Sequence, residues 1–200
     1  MKNTNKDTRI FKNPLLEKLS HVHPSGPLLL WVPVASYFLW LSLRELNKEN
    51  IALFFTLGII FWSLFEYVAH RFLFHFKAKS PLGKWFIFMF HGVHHTAPDD
   101  KTRLLFPPAP AAIVGISLYS LLKLVLPQPE LYPFFLGTII GYLIYDYIHY
   151  ATHHFKMRSK IGRFLKHYHL KHHYVSPDKN FGVSSPLWDY IFKTNQKRKS

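Results

Sequence analysis

Ten of the fourteen histidines in this 200-residue chain fall into four groups whose spacing suits metal ligation. Two groups are near copies, His91-x-x-His94-His95 and His169-x-x-His172-His173. On an α-helix, turning about 100° per residue, three imidazoles so spaced lie within an arc of about 100° on one face. A pair precedes each triple, His70 with His75 and His149 with His153, and sixteen residues separate the second member of the pair from the first of the triple in both cases. One device is used twice. A structural zinc is satisfied by four ligands, usually with cysteine among them, and this chain has no cysteine. Ten imidazoles therefore predict two metals, each with four or five histidines and room for water or O₂. Such a neutral cage beside a membrane suits a di-iron centre acting on lipid. Zinc binds such sites more tightly than iron(II), so zinc is expected in purified material too.

The pairs raise a question of geometry. His149 and His153 are i and i+4 and stack on one helix face. His70 and His75 are five apart, about 140° around a regular helix, so they serve two metals or the helix breaks between them. Glu66 lies one turn before His70, and Asp146 three residues before His149. A carboxylate there is expected to accept the second imidazole N–H and fix its tautomer. His154 and His167 fall on other faces and are expected outside the site, as are His21 and His23, which share no repeated spacing. Asp99 and Asp100, following Pro98, read as turn and cap residues.

The elements that must hold these histidines are membrane helices. Residues 24–43, 104–122 and 131–145 carry no charge, and 51–69 carry only Glu66. A bilayer core of about 30 Å needs about 20 apolar residues, which predicts an all-α integral membrane protein with transmembrane helices at about 27–46, 51–69, 109–126 and 131–150, paired in two hairpins. Residues 1–25 read as an N-terminal arm, 26–193 as the membrane and catalytic domain and 194–200 as a basic tail. The net charge of +14 is concentrated before the first run, between the second and third, and after the fourth. That pattern places both termini, the central loop and all ten histidines in the cytoplasm as a helical dimetal cap. Attraction to anionic lipid heads explains the charge without nucleic acid. The aromatic stretch from Lys84 to Phe90 is expected to lie along the interface. Trp188, Tyr190, Ile191 and Phe192 are expected to pack on the metal domain or the membrane surface.

Four stretches together resemble the fatty acid 2-hydroxylases of the fatty acid hydroxylase and sterol desaturase group. They are Glu66-Tyr67-x-x-His70-Arg71-Phe72-Leu73-Phe74-His75; the first triple with Arg103-Leu104-x-Phe106-Pro107-Pro108; Tyr145-Asp146-x-x-His149-Tyr150-x-x-His153; and the second triple with Phe181-Gly182-Val183-Ser184 and Leu187-Trp188-Asp189-Tyr190. The resemblance implies a four-helix membrane enzyme that uses O₂ to place a hydroxyl on carbon 2 of a long acyl chain, free or in a sphingolipid. Several members of the family carry a fused cytochrome b5 domain, for which the first 25 residues are too short. Electrons are thus expected from a separate cytochrome b5-like or ferredoxin-type donor, whose acidic surface would suit the basic cytoplasmic face. A carotenoid or sterol-type oxidase of the same group uses a similar histidine plan, but the Tyr145-to-Tyr150 and Leu187-to-Tyr190 runs favour the acyl hydroxylase. A non-catalytic membrane metal carrier would need ligands within the apolar runs, and these hold no histidine in their middles.

Overall fold

The computed structural model describes residues 9–196, and every regular element among them is helical. The first eight residues of the expected arm and the last four of the tail lie outside the described residues. A short helix α1 (Pro14–Leu19) is capped by Asn13, whose side chain accepts the Leu15 and Leu16 amides. α2 (Gly26–Glu45) and α3 (Lys48–Val68) form the first hairpin, and Asn47 caps α3 through the Asn50 amide. α4 (Pro81–Ile87) and α5 (Val93–Thr96) follow, then the second hairpin of α6 (Pro108–Leu122) and α7 (Leu131–His154). α8 (Lys160–Tyr174) and α9 (Leu187–Ile191) complete the chain.

Three helical segments are long and apolar enough to cross a membrane: Gly26–Glu45, Lys48–Phe74 and Leu131–His154, with mean hydropathies of 1.5, 1.9 and 1.3. The expected helix at 109–126 is shorter. It ends at Leu122, and Lys123 to Leu126 form turns. Pro127 disfavours helical geometry at the residue before it, which helps to end the helix early.

α7 is the central element. α3 crosses it so closely that a Cβ on Gly58 would lie 2.0 Å from the Phe134 carbonyl oxygen, and one on Gly137 2.0 Å from that of Phe55. Between apolar helices in lipid the hydrophobic drive is weak, and small residues admit the close backbone contact that replaces it with dispersion. On its other side α7 sets Phe135 against Phe38 of α2 and Tyr142 against Trp31, with ring centroids 5.1 and 5.8 Å apart. Two hairpins so joined bring the histidine-bearing ends of α3 and α7 together.

Candidate metal centre

α3 does not end at Val68. Residues Ala69–Phe74 continue as a π-helix, and the His75 amide donates to the His70 carbonyl at 3.2 Å. A π-turn spaces its hydrogen bonds at five residues, so side chains five apart line up as those four apart do on an α-helix. His70 and His75 therefore face one site. Neither expected alternative, two metals or a broken helix, is what the chain adopts. α4 likewise runs through a π-helix, Phe88–Gly92, into α5 and carries His91 inward.

The ten histidines converge as two sets of five. One contains His70, His75, His91, His95 and His172, and the other His94, His149, His153, His169 and His173; within each, the donor nitrogens lie within 4.8 Å of one another. The triples are not single faces. His91 and His95 serve the first set while His94 turns to the second; His169 and His173 serve the second while His172 turns to the first. An arc of about 100° is wide enough to divide between two centres. The sets adjoin, with the His95 and His173 rings stacked at 4.1 Å.

Donor chemistry shows that these sets fit metal ions. His70 Nδ1 donates to the Phe181 carbonyl at 2.5 Å, and His172 Nδ1 to that of Lys179 at 2.7 Å. A carbonyl only accepts, so both rings carry their proton on Nδ1 and turn an Nε2 lone pair inward. His70 Nε2 then faces His91 Nε2 at 3.1 Å, and His172 Nε2 is buried without a hydrogen-bond partner. In the second set, Nε2 atoms of His94 and His149 are 2.9 Å apart, as are those of His94 and His173 and those of His153 and His169. Two nitrogens about 2.0–2.1 Å from a shared metal and at right angles are about 2.9 Å apart. Burial, reinforced by neighbouring imidazoles, pushes His75 down to about 4 and His95 to about 3, and holds His91, His94 and His169 well below the ordinary histidine range. The rings are thereby kept neutral, the state that ligation requires.

The two acids sit close by but do not touch the imidazoles as expected. Glu66 is buried and accepts the amides of Val183 (2.7 Å) and Ser184 (2.9 Å) and the Ser184 hydroxyl (2.5 Å). Asp146 accepts the Tyr142 hydroxyl at 3.1 Å and the Phe106 amide at 3.3 Å. The group that orients His70 is instead the carbonyl of Phe181, on a loop Glu66 pins. Asp189, fully buried, pins the same loop through the amides of Phe181 (2.9 Å) and Gly182 (2.8 Å). It also accepts the Thr194 hydroxyl at 2.7 Å, which meets Tyr67 Oη at 2.9 Å. Asn180 enters the loop at φ 59°, a left-handed conformation asparagine tolerates. Sequence reasoning missed Asp189, Thr194 and the carbonyls. The one local signal was an asparagine and a glycine among small residues after the second triple.

The histidines expected to stand apart do so. His167 is exposed, and His154 is half-buried, its ring 4.7 Å from that of Tyr150. His21 and His23 pair with Thr102 and Ser25 near α1. Asp100 accepts the Thr102 amide and hydroxyl, as a turn residue does. Trp188 donates to Ser63 at 3.0 Å and Phe192 stacks on Tyr67, while Tyr190 and Ile191 stay exposed.

A cavity of about 1550 Å³ opens onto His91, His94 and His149. From them it runs between the helices past Trp62, Tyr142 and Ile139, and it reaches the surface beside Leu15, Leu19 and Leu82.

Comparison with known proteins agrees with this geometry. The fatty acid hydroxylase family profile matches residues 55–194. Fatty acid 2-hydroxylase of Rattus norvegicus is 38% identical over 210 residues, which is 93% of this chain and 56% of that protein. The chain thus spans a little over half the length of its mammalian relatives. A dihydroceramide fatty acyl 2-hydroxylase of Arabidopsis thaliana is 41% identical over 167 residues, covering 82% of this chain and 70% of its own. The solved structure of full-length scs7p, with only its hydroxylase domain visible, superposes with a TM-score of 0.89 at 36% identity, over 95% of this chain and 72% of that one. With histidine sets, apolar helices and relatives in accord, this chain is an integral membrane member of the fatty acid hydroxylase family.

Proposed function

We propose that the chain hydroxylates carbon 2 of a long fatty acyl chain, free or within a ceramide-type lipid, at the expense of O₂. One C–H bond becomes C–OH, the second oxygen atom leaves as water, and two electrons and two protons are consumed. The cavity carries this reading. Its lining combines His91, His94 and His149 with a mouth at the exposed Leu15, Leu19 and Leu82 and with an apolar chamber among the membrane helices. An acyl chain extended into that chamber leaves its head at the mouth and the carbons next to the head beside the imidazoles. Carbon 2 is such a carbon.

The ten imidazoles would hold two metal ions, iron being expected for turnover, which would supply the activation of O₂ and the removal of a hydrogen from carbon 2. The rest falls to the protein. Phe181 and Lys179 carbonyls keep the Nε2 lone pairs of His70 and His172 free, and Glu66 and Asp189 hold the loop that presents them. Trp62, Phe65 and Tyr145 wall the chamber near His149 and exclude water. α6, with the turns that follow it, serves as a fourth, short span. The distribution of basic residues supports both termini and the metal sets facing the cytoplasm. Residues 156–171 hold six basic side chains and no acid, a surface suited to an acidic electron donor such as a cytochrome b5-like or ferredoxin-type protein.

Lipid mass spectrometry of a host expressing the wild type or His172→Ala under ¹⁸O₂ tests the proposal. One labelled oxygen at carbon 2 of acyl chains, in the wild type only, is expected. Unlabelled acyl chains with a competent reductant present would sink it, and labelled sterol or carotenoid would redirect it.

A further inference from the structure

Midway along the chamber the wall is unusual. A Cβ on Gly115 of α6 would lie 2.2 Å from Cη2 of Trp31 and 3.1 Å from its Cζ2. The tip of the indole thus occupies the space a side chain at 115 would fill. Trp31 is buried, meets Tyr142 edge-on at 5.8 Å, and its Nε1 has no hydrogen-bond partner, so packing alone holds the ring. Trp31, Gly115 and Tyr142 all line the cavity.

Depth follows from α7. Tyr142 lies seven residues from His149 and Phe135 fourteen, which at 1.5 Å per residue is about 10 Å and about 21 Å. Phe135 and Leu118 line the far end, where the Phe135 ring packs with those of Phe38 and Tyr119, centroids 5.0–5.3 Å apart, to close it. The recess at Gly115 stands near the Tyr142 level, between the metal sets and that floor.

We propose that Gly115 sets the longest acyl chain the protein accepts, by providing the recess in which the Trp31 indole is stowed clear of the deep half of the chamber. Any side chain at 115 displaces the ring, and the open space beside it is the cavity itself. The displaced indole then shortens the chamber. The proposal rests on the acyl-chain reading above and adds a determinant of chain length to it. Each methylene denied apolar burial weakens binding several-fold, so excluding two or more costs about tenfold.

The full chain, expressed with its metals and supplied with saturated fatty acids of increasing length, is compared with Gly115→Ala, Trp31→Ala and the double variant. Two readouts are taken: 2-hydroxy products at each length, and the melting-temperature shift each acid gives the detergent-purified protein, which needs no turnover. Gly115→Ala is expected to lower the ratio of long-chain to short-chain response at least about tenfold in product, with the melting shift lost first for the longest acids. Trp31→Ala in the same background is expected to restore it, and alone to raise the length limit. A parallel fall at all lengths in folded, metal-retaining Gly115→Ala overturns the proposal, as does a double variant that restores nothing. Should Gly115→Ala not fold, an unchanged length limit in Trp31→Ala overturns it. If the wild type makes no 2-hydroxy product, the proposed function falls, and the melting series still decides the role of Gly115.

Discussion

His172 sits on α8 beside His169 and His173 yet points into the other set, where its Nε2 has no protein partner. His172→Ala removes one of five nitrogens from the set that includes His70. The expected result is loss of metal from that set and of turnover, measured by elemental analysis of purified protein, with His94→Ala doing the same to the opposite set. His154→Ala and His167→Ala are expected to keep full metal content, and equal loss in all four would contradict the division into sets. Asp189→Asn tests the loop. The amide of asparagine turns a donor toward the Phe181 or Gly182 N–H, and the displaced carbonyl no longer orients His70. Disturbing a group that orients a ligand typically costs about 10–100-fold in metal affinity, and a chelator titration would read it. The ligand set was legible at this scale because imidazoles announce themselves by type and spacing. The orienting groups were not, since backbone carbonyls have no sequence signature. Glu66 finds its donors more than a hundred residues away, at Val183 and Ser184, so its spacing from His70 gave no sign of them.

Among the elements, the crossing of α3 and α7 is the tightest in the described residues for which a glycine accounts. Gly137→Val would drive a branched side chain against the Phe55 carbonyl. Overpacking of this kind costs about 1–3 kcal/mol or more, and a lowered melting temperature in detergent should be accompanied by metal loss, because these two helices carry His70 and His149. The long helices could be read from their apolar runs, with ends shifted by a few residues. The π-helix at Ala69–Phe74 could not. Five-residue spacing is ambiguous until another segment fixes the face it must present, and that segment here includes His91 and His172, distant in sequence.

For the whole molecule, the absence of cysteine makes topology directly measurable. Single cysteines at Lys101 and Lys160 are expected to react with a membrane-impermeant maleimide only when the cytoplasmic side is opened, and one at Gln128 from the opposite side. Reaction of Gln128→Cys and Lys160→Cys from one side would remove α7 as a span. Charge distribution suggested this arrangement, whereas the cavity joining metal sets to chamber required the helices in place.

The exchange of His94 and His172 between the triples bears on how the protein is made. Had each repeat kept its own histidines, a first five-nitrogen site would exist once residue 95 had left the ribosome. As built, that site waits for His172, and the second waits for His173. Four of the first site's nitrogens are in the chain by residue 95, but the full donor set of either site is complete only when α8 is synthesised and folded back onto the helices that precede it.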